Sequence, residues 1–178
     1  DWLSGISGVI TKNELKKMPL VFHVHSTEWG RSMGGGSQVI THIEDTTAQM
    51  ADGIITVSYV MKDDLARHGW DEKKIRVVWN GVDAERYDPE IVDKEKAQKL
   101  REKYGIKEDE QMILFVGRLT WVKGVRNLIQ GLSYILKEYP KVKLVILGRG
   151  EEQKDVTELA DRLGIKDKVA YRFEFVPE

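Results

Sequence analysis

An α/β fold made of two parallel-sheet units is what this sequence predicts, on three observations. Short apolar, β-branched runs alternate with stretches of helical period along the chain. Glycines stand where helical stretches end, at Gly69, Gly105 and Gly164. From Val82 to Pro89 the chain is polar without a clear period, so the alternation divides into two runs joined near residue 80.

The first run opens on Pro19 to His25, which alternates and reads as a strand. Ser26 to Ser37 is expected to be a loop around Gly34-Gly35-Gly36. Gln38 to Ala51 has helical spacing, with Ile43, Thr47 and Met50 on one face, and Asp52-Gly53 breaks it. Ile54 to Val57 is a strand of buried type. Ser58 can N-cap the next helix, which turns Val60, Met61 and Leu65 inward and stops at Gly69. Ile75 to Trp79 is a further strand, and Asn80-Gly81 a turn.

The second run begins with a charged helix, Asp93 to Tyr104, closed by Gly105. Ile113 to Val116 reads as a buried strand. After Gly124, apolar residues at Val125, Leu128, Ile129, Leu132, Ile135, Leu136 and Tyr139 form a helical stripe. Val142 to Leu147 is a strand, Glu151 to Leu163 a helix ending at Gly164, and Lys168 to Phe173 the last strand. The expected division is residues 1–79, a linker and charged helix over 80–110, and residues 111–178. Such short sheets leave pairing edges open, so the isolated chain is expected to be marginally stable or oligomeric.

Composition narrows the function classes. The chain has 178 residues, room for one domain or parts of two, and 41% hydrophobic with 32% charged residues describes a soluble globular protein. A net charge of −1 argues against general electrostatic binding of nucleic acid or of an anionic membrane. No apolar run approaches the ~20 residues that cross a bilayer, and no signal peptide is visible. The absence of cysteine removes disulfides and thiolate metal sites and fits a reducing, cytoplasmic compartment. The chain opens on Asp1-Trp2-Leu3 and closes on Phe175-Val176-Pro177-Glu178 just after a strand-like run, which reads as an excerpt from something longer.

The chemistry concentrates in Gly117-Arg118-Leu119-Thr120-Trp121-Val122-Lys123-Gly124, where a strand hands over to a helix. Free backbone N–H groups at such a junction attract anions, and Arg118 and Lys123 add a bidentate fork and a flexible point charge. That suits a diphosphate. The stretch is neither G-x-x-x-x-G-K-[ST] nor G-x-G-x-x-G, since Val125 follows the Lys-Gly pair where a P-loop needs Ser or Thr. Ligands of open parallel sheets bind beyond the carboxyl ends of strands. His25, Ser26, Arg118, Lys123, Gly148 and Gly150 all fall there, which points to one shared cleft.

Gly148 and Gly150 let backbone approach a ligand closely, or simply make a strand-to-helix turn. His25 can be a proton donor, a hydrogen-bond donor or a plain loop residue. His23 is read as lying on the opposite strand face, and His42 and His68 fall in helical runs. No H-E-x-x-H or acidic cluster accompanies them, so no metal is expected. Trp29 and Trp121 could stack on a sugar or base, with core packing as the default.

Five segments in order carry a family resemblance. Asp1-Trp2-Leu3, Val24-His25-Ser26-Thr27-Glu28-Trp29-Gly30-Arg31, Ala51-Asp52-Gly53-Ile54-Ile55-Thr56-Val57-Ser58, Val77-Val78-Trp79-Asn80-Gly81-Val82-Asp83, and Phe115-Val116-Gly117-Arg118-Leu119 with Lys123-Gly124 resemble the retaining GT-B glycosyltransferases of the glycogen-synthase-like group, families 4 and 5. The resemblance implies two Rossmann-like domains, both truncated here, with a nucleotide-sugar donor on the C-terminal one and a glycan acceptor on the N-terminal one. Arg118 and Lys123 would hold the donor diphosphate beside Gly117 and Gly150. Gly148, Phe175 and Val176 would lie near the nucleoside, and His25 beside the donor sugar. Ser26, Glu28 and Trp29 would be on the acceptor side.

The implied reaction moves a glycosyl unit, glucose above all, from ADP- or UDP-sugar to an α-glucan or related acceptor, without cofactor or metal. The family's glycine-rich loop would precede Asp1, and its E-x7-E carboxylates would follow Glu178. The alternative readings are a GT-B-fold sugar epimerase and a nucleotide-sugar-binding regulator without chemistry.

Overall fold

A computed structural model describes residues 2–174. Compact units separate at 1–86 and 87–178, and each contains one three-stranded, wholly parallel sheet.

The first unit runs α1 (Trp2–Glu14), β1 (Val21–Val24), α2 (Glu28–Arg31), α3 (Gln38–Met50), β2 (Gly53–Thr56), α4 (Tyr59–Arg67) and β3 (Ile75–Val77). Its sheet has the order β1-β2-β3, with Val21 opposite Gly53 and Ile54 opposite Ile75. Alternation along β1 buries Phe22 and Val24 while Val21 and His23 stay exposed. Phe22 and Val24 share one core with Ile54 and Ile75 of the neighbouring strands and with Ala48, Ala51 and Leu65.

Ser58 caps α4 as its position suggested, its hydroxyl accepting the Met61 N–H at 3.1 Å. Leu65 is fully buried and Met61 packs at the core's edge, but Val60 is 76% exposed. Five helical steps place Val60 roughly 140° from Leu65, off the inward stripe that the i, i+4 pair makes.

Two helices were not anticipated. α1 meets α3 through small residues: a Cβ on Gly5 would lie 2.6 Å from Thr47 Oγ1, and one on Gly8 2.9 Å from Leu20 Cδ1. Leu3, Ile6 and Ile10 are exposed, and the face toward α3 carries Gly5 and Gly8 with Trp2 and Val9 half-buried, a stripe too broken by glycine to read as apolar. α2 lies inside the segment expected to be a loop. On α3 the buried residues are Glu44, Thr47 and Ala48, whereas Ile43 and Met50 are only half-buried.

The second unit runs α5 (Lys94–Lys103), β4 (Gln111–Val116), α6 (Val125–Glu138), β5 (Val142–Leu147), α7 (Gln153–Arg162) and β6 (Val169–Arg172). Asp93 caps α5, its carboxylate accepting the Lys96 N–H. The sheet order is β4-β5-β6, with Gln111 opposite Val142 and Leu144 opposite Val169. α6 and α7 pack on each other, and Ile129, Leu132, Leu144, Ile146 and Val156 close the core under them.

β5 is central and buried along most of its length. β4 is an edge strand, and the expectation of a buried strand holds for one of its faces. Ile113 and Phe115 turn to the core, while Met112, Leu114 and Val116 are exposed. The helical stripe after Gly124 is buried at Val125, Ile129 and Leu132, and Tyr139 lies beyond the helix, exposed.

Candidate functional site

At the carboxyl ends of β4 and β5 the two following loops are sewn together by backbone. Gly117 N–H donates to the Leu147 carbonyl at 3.0 Å, Leu119 N–H to Arg149 at 3.0 Å, and Glu152 N–H to Leu119 at 3.0 Å. Gly148 N–H reaches across to Arg172 of β6 at 3.0 Å. Ladder pairing thus continues past the ends of the strands.

Glycine is needed for this. Gly148 has φ of +130°, and a Cβ there would stand 2.0 Å from the Gly117 carbonyl oxygen; on Gly150 it would stand 2.3 Å from the Leu119 carbonyl oxygen. The backbone that both glycines admit at close range is the neighbouring loop's own.

Beside this seam is a cavity of about 490 Å³ lined by Val116, Gly117, Arg118, Leu147, Gly148, Arg149 and Glu174. Arg118 and Arg149 are among its lining residues, two cationic side chains beside an otherwise largely apolar wall. Glu174 brings one carboxylate, which pairs with Arg172. Lys123 is exposed at the end of a short 3-10 turn, Trp121–Lys123, and is not among the lining residues. The Lys123 and Gly124 N–H groups are already used within that turn, on the Thr120 and Trp121 carbonyls. Trp121, on the same turn, is exposed rather than packed in the core. Phe175 and Val176 lie outside the described residues.

In the first unit, His25 follows β1 at the carboxyl edge of its sheet and is exposed. His23 lies on the same face, not the opposite one, because residues two apart in a strand point the same way. The two imidazole centroids are 4.4 Å apart. Burial first, and then the charge of His25, hold the His23 pKa below its ordinary 6.5.

The segment after His25 is organised by a buried carboxylate. Thr27 caps α2, its hydroxyl accepting the Gly30 N–H at 3.3 Å. Glu44, 1% exposed on α3, accepts the Glu28 N–H at 2.8 Å and Arg31 Nη2 at 3.2 Å. The same Nη2 donates to Glu28 Oε2 at 3.1 Å, and Nη1 donates to the Ser26 carbonyl at 3.2 Å and hydroxyl at 2.9 Å. Glu28 Oε1 takes the Ser37 N–H at 3.0 Å. Desolvation raises the Glu44 pKa against these partners, while the Ser37 N–H, ahead of Arg31, lowers that of Glu28.

Neither Arg31 nor Glu44 was singled out as functional in the sequence. Signals existed: Thr27 is a good N-cap residue, and an acid one helical turn before Thr47 and Ala48, on their face, needs a partner for its charge.

Trp29 belongs to an aromatic cluster. Its ring stacks on His68 at 3.7 Å and meets Trp70 edge-on at 5.7 Å, and its Nε1–H donates to Asp64 at 3.2 Å. Trp70 Nε1–H donates to Asp45 at 2.8 Å. One face of the Trp29 indole is therefore covered, in line with packing as the default. Among the described residues no group of three His, Asp or Glu is placed to hold a metal, and no helix is long and apolar enough to cross a membrane.

Comparison with known proteins follows the same division. Residues 1–86 match the glycosyltransferase family 4 model, and residues 96–174 match that of glycosyl transferases group 1. An uncharacterised glycosyltransferase of Methanocaldococcus jannaschii is 34% identical over 175 residues, 96% of this chain and 44% of that protein. A glycogen synthase of Mycobacterium tuberculosis is 30% identical over 158 residues, 86% of this chain and 35% of the relative. The chain thus spans less than half the length of these relatives.

In structure, an Anabaena protein crystallised with UDP-glucose superposes with a TM-score of 0.81 at 22% identity, over 98% of this chain and 47% of that one. Its likeness extends to the fold. With a family 4 match over one parallel sheet and a group 1 match over the next, the chain belongs to the glycosyltransferases of GT-B architecture.

Proposed function

We propose that the protein to which this chain belongs is a retaining hexosyltransferase, moving glucose from ADP- or UDP-glucose to an α-glucan or related acceptor. The cavity at the carboxyl ends of β4 and β5, with Arg118 on its wall, is the observation that carries the reading. Family relatives named for glycogen and maltose-1-phosphate synthesis support the choice of glucose.

In this reading Arg118 grips the donor diphosphate and Lys123 reaches it on its flexible stem. As the glycosidic bond to the nucleotide breaks, negative charge grows on the departing phosphate, and the two cations stabilise it. Gly117, Gly148 and Gly150 shape the seam beside that phosphate. His25 acts at the sugar, donating a hydrogen bond to a hydroxyl or lending its backbone carbonyl to the developing oxocarbenium charge. Ser26, Glu28 and Trp29 serve the acceptor side, Glu28 through the loop it ties, since both its oxygens already have partners.

The test uses the full-length protein with ADP- and UDP-glucose and an α-glucan, following nucleotide release and the anomeric configuration of the product. Replacing either Arg118 or Lys123 by Ala is expected to remove about 2–4 kcal/mol of transition-state stabilisation. A double variant with unchanged turnover would remove the central claim. Nucleotide-sugar binding without transfer to any acceptor would leave a regulator instead, and an epimerised nucleotide sugar as product would leave an epimerase.

A further inference from the structure

A carboxylate as buried as Glu44 is costly unless it is paired and fully hydrogen-bonded. Both its oxygens are engaged, and both engagements fall on the segment that follows His25: one on the Glu28 N–H, the other on the Arg31 guanidinium. Arg31 passes the constraint on. Its Nη1 holds the carbonyl and the hydroxyl of Ser26, the residue next to His25. Its Nη2 also holds Glu28, whose other oxygen takes the Ser37 N–H.

The entry of this segment, at Ser26, and its exit, at Ser37, are therefore tied to one guanidinium. That guanidinium's buried counter-charge sits on a separate helix. Gly36 is fitted to the same arrangement: a Cβ there would meet Ser32 Oγ at 2.4 Å and Glu28 Cγ at 2.6 Å. A segment meant only to connect β1 to α3 does not need a buried carboxylate paired with its arginine, because exposed polar loops satisfy their groups with water.

We propose that Glu44 and Arg31 are positioning residues for glycosyl transfer: Glu44 fixes Arg31, Arg31 fixes Ser26, and Ser26 fixes where His25 is presented to the sugar. The proposal rests on the reading that His25 acts at the sugar. It concerns two residues that act through others. A fork is required at position 31, since Nη1 donates to the two Ser26 oxygens and Nη2 to the Glu28 and Glu44 carboxylates, four acceptors that the three N–H donors of a single ammonium nitrogen cannot serve.

The experiment uses the full-length protein and the variants Glu44→Gln and Arg31→Lys. Glu44→Gln keeps an oxygen for the Glu28 N–H but loses the charge that holds Arg31. Both variants are expected to lower kcat by about 10- to 100-fold, the effect of a small misplacement of a reacting group. Affinity for free nucleotide is expected to stay within about twofold, since Arg118 and Lys123 are untouched.

The imidazole Cε1–H resonance of His25, assigned by its loss in His25→Ala, is expected to move in both variants. A folded variant with unchanged kcat overturns the proposal, as does an unmoved His25 resonance. Nucleotide affinity falling as far as turnover overturns it too, because the effect is then global. If Glu44→Gln does not fold, Arg31→Lys, at a partly exposed side chain, carries the same test. Absence of transfer by the unaltered protein would refute the functional reading, while the His25 resonance would still decide whether Glu44 positions that ring.

Discussion

His23 and His25 share a strand face with their rings 4.4 Å apart, so His23 feels the charge of His25. Burial and then His25 hold His23 below 6.5, and a histidine depressed in this way resists protonation in the folded state. Replacing His25 by Asn removes the second cause and leaves the first. The His23 midpoint, followed by NMR titration, is then expected to rise toward 6.5 without reaching it; an unchanged midpoint would show that the rings are uncoupled. At the same position, His25→Ala in the full-length enzyme is expected to lower kcat on the order of 100-fold with nucleotide affinity retained. Equal losses in both, measured by steady-state kinetics and nucleotide titration, would remove His25 from the sugar.

Among the elements, two junctions are exposed to single changes. Gly148 joins β5 to the loop before α7, and Ala there meets two penalties, a disfavoured φ of +130° and the Gly117 carbonyl at 2.0 Å. The conformation alone costs about 1–3 kcal/mol, before the backbone clash is relieved. Gly148→Ala is therefore expected to unfold at lower urea and to widen or close the cavity beside Arg118, read as weaker nucleotide binding.

The second junction ties α1 to the turn before β2. Lys12 donates to Asp52 at 2.6 Å, and the Leu20 N–H donates to the same oxygen at 2.7 Å. These bonds, Lys12 first, lower the Asp52 pKa from its ordinary 3.8. A depressed carboxylate contributes stability that is complete above 3.8 and lost as pH falls through its folded value. The stability gap between the unaltered protein and Asp52→Asn is thus expected to shrink on acidification to about pH 2. A gap that grows on acidification would contradict the sign.

For the whole molecule, two cores with no residue in common accompany two separate sheets. Ile129 is fully buried in the second core, so Ile129→Ala leaves a cavity worth about 2–5 kcal/mol. Hydrogen exchange is expected to show lost protection across β4, β5 and β6, with the amides of β1 and β2 nearly unchanged. Equal losses in both sheets would mean that the cores unfold as one.

Much of this architecture was legible because it is decided within a few residues. Ser58 caps the helix its position announced, and the charged helix begins where expected, with Asp93 as its cap. Gly69, Gly105 and Gly164 adopt the positive φ that stops a helix, and β5 spans Val142–Leu147 as its apolar run implied. A cap, a left-handed glycine and an apolar period need no distant partner. What the tertiary structure decided is which faces find cover and which charges meet. The glycine-faced α1 takes its place from Thr47 and Leu20, and β4 is buried on the face of Ile113 and Phe115 but bare on that of Met112, Leu114 and Val116. The pairing of Glu44 with Glu28 and Arg31 spans 16 and 13 residues. No local pattern encodes such a meeting; it exists once α3 has packed beside the segment that follows β1, where a buried carboxylate must find its cation.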